Sequence, residues 1–120
     1  MSEHEDQLRA WAKGMLTYEA ATEMLIRGFN GRFAGRGNAW VRMDDGKPWI
    51  NFESIPENID ALSGGERRFL RIAASLADYA TPVSLGDTVP GLDARHTRLV
   101  LAAIAHAGGY KALYPWPDNG

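Results

Sequence analysis

The amino-acid sequence predicts an α+β fold that is mainly helical, with four to five helices around one β-hairpin. Apolar residues recur at helical spacing through most of the chain, whereas residues 39–52 combine aromatic and β-branched residues with a central Asp-Gly pair. The chain has 120 residues, of which 45% are hydrophobic, and no stretch resembles an interdomain linker. We therefore expect a single domain over residues 1–120.

Two helices are predicted in the first thirty residues. Ser2 and Glu5 have the spacing of a capping box, and the helix that they begin is expected to stop near Gly14. Thr17 is the expected N-cap of the second helix. The three glycines between residues 30 and 38 then predict an irregular loop.

The hairpin is predicted over residues 39–52. A two-residue turn at Asp45-Gly46 pairs Val41 with Ile50 and Arg42 with Trp49. Side chains alternate along a strand, so each strand contributes to two faces. The expected core face carries Val41, Met43, Ile50 and Phe52. The expected opposite face carries Trp40, Arg42, Trp49 and Asn51.

Two longer helices are predicted in the second half of the chain. Ser63 and Glu66 again have capping-box spacing, and Pro82 ends the helix that follows them. Asp93 is the expected cap of the last helix, whose apolar run predicts a position at the centre of the core. The aromatic tail is expected to fold back over the helices through Tyr110, Leu113 and Trp116. In the alternative interpretation, residues 114–117 dock in a groove of another protein.

Composition excludes several classes of function. The absence of cysteine excludes disulfides, thiolate metal sites and a cysteine nucleophile, and it fits a cytoplasmic protein. The first residues are acidic rather than basic, and no apolar run reaches the ~18 residues of a membrane span. The three histidines lack metal-ligand spacing within a helix, and N-capping accounts for Asp87 and Asp93. We therefore predict no enzyme, no cofactor and no metal.

One string resembles a known nucleotide-binding motif. Leu62-Ser63-Gly64-Gly65-Glu66-Arg67-Arg68 is similar to the signature loop of ATP-binding-cassette ATPases, and Gly91-Leu92-Asp93 stands where that family has its D-loop. The resemblance implies ATP contacts by Ser63, Gly65 and Asp93. No Gly-x-x-x-x-Gly-Lys-Ser/Thr loop is present to hold the β and γ phosphates, so a helix cap explains the string better. A remnant of such a site, or a partner of an ATPase, is the alternative.

A second resemblance extends over more of the chain. Residues 19–26, 71–76 and 99–106 are similar in helix texture to a family of small uncharacterised proteins of actinobacteria and their plasmids or phages. The resemblance implies a cytoplasmic accessory protein of a mobile element. It assigns no role to any residue.

The sequence predicts one surface for recognition. Tryptophan and arginine are enriched at binding hot spots, and both occur on the non-core face of the hairpin and in the loop before it. The predicted contact residues are Arg32, Arg36, Trp40, Arg42, Trp49 and Asn51. We expect a non-enzymatic protein-binding or regulatory protein, and the sequence also allows self-association.

Two alternatives to this surface stay open. The acid-free stretch that contains the arginines of residues 27–42 is compatible with nucleic-acid binding. In the other alternative, the tryptophans belong to the core and Arg42 stacks over one of the rings.

Overall fold

A computed structural model describes residues 2–118 of the chain. These residues form five α-helices and one two-stranded antiparallel hairpin, which confirms the predicted α+β fold. The helices are α1 (Glu3–Ala12), α2 (Leu16–Arg27), α3 (Gly64–Ala77), α4 (Leu85–Thr88) and α5 (Ala94–Ala107); the strands are β1 (Val41–Asp44) and β2 (Lys47–Ile50). No helix in this part of the chain is long and apolar enough to cross a membrane.

The starts of α1 and α3 confirm two predicted caps, whereas α2 starts earlier than predicted. The Ser2 hydroxyl accepts the backbone N–H of Glu5 at 3.0 Å, which places the first turn of α1. The prediction of Thr17 as the N-cap of α2 is wrong, because the helix begins at Leu16. The Glu19 carboxylate accepts the backbone N–H of Gly14 at 2.8 Å, and this contact fixes the tight turn between the two helices.

Helix α2, and not the last helix, lies at the centre of the core. Its buried side packs against α3, against α5 and against the turn that follows it. Ala20, Ala21, Met24 and Leu25 are fully buried there. The prediction of a central α5 is wrong, since Leu101 and Ile104 are 44% and 50% exposed. Only one side of α5 packs on α2. The apolar run extends around the helix beyond that side, so some of its residues are exposed.

The segment after α2 is more regular than the predicted loop. Residues Gly28–Ala34 form 3-10 turns that are interrupted by three successive residues with positive φ, at 49°, 58° and 78°. Phe29 is the first of these, and its backbone N–H donates to Nε2 of His96 at 3.0 Å. Its ring stacks on the His96 ring with 3.9 Å between centroids. A tertiary contact therefore holds an aromatic residue in a conformation that is locally unfavourable.

The hairpin has the predicted register. Val41 lies opposite Ile50 and Arg42 lies opposite Trp49. Asp45 and Gly46 both have positive φ, at 53° and 78°, as a type I′ turn requires. The expected core face is correct for Val41, Ile50 and Phe52 but wrong for Met43, which is exposed. Its cross-strand partner Pro48 is fully buried, so at this level of the hairpin β2 is covered and β1 is not.

Candidate protein-binding site

The predicted contact surface is not assembled as the strand pattern suggests, because Trp40 belongs to the core. Its side chain is only 3% exposed. Its ring Nε1–H donates to the Phe33 carbonyl at 2.8 Å, and its ring lies 6.2 Å from the Phe33 ring. Trp40 precedes the first residue of β1, so strand alternation does not set the direction of its side chain. Trp40 is therefore corrected from a contact residue to a core residue.

The three predicted contact arginines are tied to three different parts of the molecule. Arg32 forms an ion pair with Glu66 of α3 at 2.8 Å. Arg36 Nε donates to Nδ1 of His4 in α1 at 3.4 Å. Arg42 Nε donates to the carbonyl of Ala39 at 2.9 Å. Within residues 2–118, no hydrogen bond, ion pair or cation–π contact joins these arginines to the ring of Trp49. Arg42 is the one of the three that lies opposite Trp49 on the paired strand.

Asn51 forms backbone hydrogen bonds at the end of the hairpin. Its backbone N–H donates to the Trp40 carbonyl at 2.8 Å, and its own carbonyl accepts the Ser54 hydroxyl at 2.9 Å. Its side chain is half-buried. These bonds give Asn51 a structural role in the turn that leads out of β2.

Trp49 lines an open groove between α1 and β2. The groove has a volume of about 520 Å³. The Trp49 and Trp11 rings lie 6.5 Å apart at an angle of 48°, and both are half-buried. The Trp11 ring also lies 5.5 Å from the Tyr18 ring and 6.5 Å from the Phe52 ring, between centroids, and these contacts restrain it. The lining residues are Gln7, Ala10, Trp11, Asp44, Lys47, Pro48 and Trp49.

The groove has an apolar wall and a polar rim of mixed charge. Ala10 and the two tryptophan rings supply the accessible apolar wall, since the side chain of Pro48 is fully buried. Asp44 and Lys47 are paired across the end of the hairpin and place one charge of each sign at the rim. We call these seven lining residues the α1–β2 groove. Its apolar area can bind an apolar side chain, and its rim can orient a polar backbone or a charged group.

Sequence reasoning found Trp49 but missed its partners in α1. Trp11 fits the apolar stripe of α1, which predicted a core position, and nothing local relates it to β2, almost forty residues later. The contact between α1 and β2 is a property of the tertiary fold. The one feature of the sequence that could have indicated a role for Trp11 is its size, because α1 has few other large apolar residues.

Each of the three histidines forms a hydrogen bond with a residue of another element. His96 Nε2 accepts the Phe29 N–H, so Nδ1 carries the proton that is shared with Asp93 Oδ1 at 2.7 Å. His106 lies 2.8 Å from Glu19 Oε1 through Nε2, and its Nδ1 accepts the Trp116 ring N–H at 3.3 Å. His4 Nε2 lies 2.8 Å from the Ala34 carbonyl.

The contact with His96 also affects its carboxylate partner. The backbone N–H of His96 donates to Asp93, and this bond together with the ring contact lowers the pKa of the Asp93 carboxyl. Asp93 is thus the N-cap of α5, as predicted. Among residues 2–118, no group of three or more histidine, aspartate or glutamate side chains is arranged to hold a metal ion.

The string from Leu62 to Arg68 begins α3 with a complete capping box. The Ser63 hydroxyl accepts the backbone N–H of Glu66 at 3.3 Å, and Glu66 Oε1 accepts the backbone N–H of Ser63 at 3.0 Å. That backbone bond lowers the pKa of the Glu66 carboxyl. Ser63 and Asp93, two of the three residues for which the ATPase resemblance implies ATP contacts, are already used as helix caps.

Comparisons of the chain with protein-family models, with curated proteins and with solved structures gave no match.

Proposed function

We propose that this protein is a non-enzymatic binding protein that holds an extended segment of another protein in the α1–β2 groove. The observation that carries the proposal is the pair of half-buried rings, Trp11 and Trp49, that stand 6.5 Å apart along an open groove of about 520 Å³. Tryptophan rings that are partly buried, and so already restrained, supply large contact area at little entropic cost.

The expected ligand is an extended segment with a proline or aromatic anchor residue. Grooves lined by aromatic rings bind extended, proline-containing segments through ring contacts. Addition of a further strand to β2 is disfavoured, because Pro48 has no backbone N–H to donate. Lys47 and Asp44 at the rim favour a segment that carries a charge of each sign beside its anchor.

Nucleic-acid binding is the weaker candidate, because the arginines that suggested it have partners inside the protein. Arg27 pairs with Glu23 at 2.7 Å and donates to the Pro117 carbonyl at 3.0 Å. Arg32 pairs with Glu66. Each such pair lowers the positive charge available to phosphates.

The engaged ring nitrogens of all three histidines support a role without acid–base catalysis. A cytoplasmic location is part of the proposal, supported by the absence of cysteine.

Selection of peptides from a random display library against the full chain tests the proposal. We expect enrichment of peptides with proline or aromatic anchors, and amide chemical shifts should move along the groove when a selected peptide is added. Ala10 is exposed and lines the groove, so Ala10→Arg should block it without removing a buried contact. The matched variant Ala94→Arg changes an exposed helical alanine outside the groove.

The expected result is at least about a tenfold weaker affinity for Ala10→Arg, since anchor contacts dominate binding free energy, and an unchanged affinity for Ala94→Arg. Selected peptides that bind both variants equally, or that shift residues elsewhere, would overturn the proposal. Failure to enrich any peptide over an unrelated control protein would overturn it as well.

A further inference from the structure

A second open cleft lies between α3 and residues 82–88. It has a volume of about 340 Å³ and a mainly polar lining. The lining residues are Gly64, Arg67, Arg68, Arg71, Pro82, Val83, Ser84, Asp87 and Thr88. None of them lines the α1–β2 groove, so this cleft is a separate feature.

Three arginines of α3 share this cleft. Arg67 and Arg71 are four residues apart on the helix, and Arg68 is three residues from Arg71, so the three cations lie on neighbouring positions of one helix surface. Like charges at such spacing repel one another. None of these guanidinium groups forms an ion pair within residues 2–118, and Asp87 is the one acidic residue that lines the cleft. The cleft therefore carries uncompensated positive charge.

Arg68 is the most confined of the three. Its side chain lies between Gly64 and Gly91, where a Cβ would come within 2.7 Å of Nη1 and within 2.4 Å of Cδ, respectively. The two glycines thus leave room for this side chain. Arg68 as a whole is half-buried, and its guanidinium has no hydrogen-bond partner among the described residues. Partial burial of a cation is unfavourable unless its donors are satisfied.

Further donors face the cleft or border it. Arg67 uses Nη1 to donate to the carbonyls of Asp60 and Leu62, at 3.3 and 3.2 Å, which fixes its position. Its remaining guanidinium donors have no partner among the described residues. The Ser84 side chain makes no capping bond to α4. An oxyanion placed between these groups would satisfy donors that have no acceptor within the described chain.

We propose that the cleft of Arg67, Arg68, Arg71 and Ser84 binds the phosphate group of a small phosphorylated molecule. The planar guanidinium binds phosphate oxygens two at a time, and three arginines in one cleft favour a phosphate over a carboxylate because the phosphate carries more negative charge. The lining has no aromatic ring, so the phosphate, and not a stacked base, is the recognised part of the ligand. A concave cleft also suits a compact phosphorylated ligand better than a nucleic-acid backbone.

Titration of the full chain with inorganic pyrophosphate, followed by amide chemical shifts and by calorimetry, tests this site. The ionic strength is held constant with sodium chloride. Saturable shifts are expected at the start of α3 and around Ser84. Arg68→Gln and Arg71→Gln should each weaken the affinity about tenfold, because each removes charge-assisted hydrogen bonds. Arg98→Gln, which changes an exposed arginine of α5 outside the cleft, should leave it unchanged.

Arg71 is exposed, so its variant tests the site even if Arg68→Gln alters the fold. Equal affinity of pyrophosphate for Arg71→Gln and Arg98→Gln would overturn the proposal, as would shifts spread over all exposed arginines. Binding of a short single-stranded oligodeoxynucleotide in the cleft without binding of pyrophosphate would also overturn it, because the recognised ligand would then be a nucleic-acid backbone. Ala10→Arg should bind pyrophosphate normally, so the two proposed sites are tested independently.

Discussion

At the scale of single residues, one partly buried carboxylate joins the first two helices to the tail. Glu23 accepts hydrogen bonds from Nε of Arg9 and Nε of Arg27, and its side chain is 14% exposed. Burial by itself raises the pKa of the Glu23 carboxyl, but the two guanidinium groups outweigh this effect and hold the pKa below its ordinary value of 4.5. Arg27 continues the link to the Pro117 carbonyl.

The Glu23 contact predicts a specific dependence of stability on pH. Since the folded-state pKa is below 4.5, the carboxylate stabilises the fold fully above that value, and the contribution is lost as the pH falls through the folded-state pKa. Glu23→Gln should lower the free energy of unfolding by about 2 kcal/mol at neutral pH. Its unfolding free energy should also fall less steeply in acid than that of the wild type.

Urea denaturation between about pH 3 and pH 7 measures both effects. Glu57→Gln is the matched control, because Glu57 is exposed and has no ion pair within residues 2–118. Parallel pH profiles for the wild type and Glu23→Gln would contradict the assignment.

At the scale of elements, the start of α3 shows what a short motif can specify. The Ser63 and Glu66 bonds satisfy backbone donors that the helix itself leaves free. Two of the seven residues that resemble an ATPase signature, Ser63 and Glu66, thus position the helix start. Both the cap and the register of the β1–β2 hairpin were predicted from sequence, because each depends on residues that are close together in the chain.

We expect Ser63→Ala to lower the free energy of unfolding by about 1 kcal/mol, because one backbone donor loses its acceptor. Ser63→Asp should preserve the stability, since a carboxylate can accept the same N–H. Ser84→Ala is the control, because Ser84 is the N-cap of α4 but makes no capping bond. Chemical denaturation of the three variants measures the differences. Equal losses in Ser63→Ala and Ser84→Ala would show that the cap contributes nothing.

At the scale of the whole molecule, the tail closes one end of the core. The Trp116 ring N–H donates to His106 of α5 at 3.3 Å, and the Arg27 guanidinium of α2 lies 5.4 Å from the Trp116 ring centroid. Trp116 therefore folds back as predicted, whereas Tyr110 and Leu113 remain exposed, which contradicts the prediction for these two residues. The hydrogen bond from Arg27 to the Pro117 carbonyl joins residues 90 positions apart.

Trp116→Ala should destabilise the protein by about 2 kcal/mol, because it removes a half-buried ring together with its cation–π contact. The comparison variant is Tyr114→Ala, which changes a more exposed aromatic residue of the same tail. Urea unfolding of both variants gives the difference. A loss for Tyr114→Ala as large as that for Trp116→Ala would exclude a specific role for the Trp116 contacts.

The candidate site illustrates the limit of local patterns. The two-residue turn correctly paired Arg42 with Trp49. Strand alternation placed Trp40 on the wrong side, because Trp40 lies before the strand and is held by the Phe33 carbonyl. Trp11 could not be related to Trp49 from the sequence, since no short spacing connects α1 with β2.

The sequence by itself determined the class of fold, the hairpin register and the caps of α1, α3 and α5. These features follow from hydrogen bonds and backbone conformations among residues within a few positions of one another. The tertiary structure alone decided that α2 is central, that Phe29 adopts a positive φ against His96, and which tryptophan faces the groove. Burial is shared among elements that are distant in the chain, so an apolar pattern shows that a face can be buried but not which partner covers it.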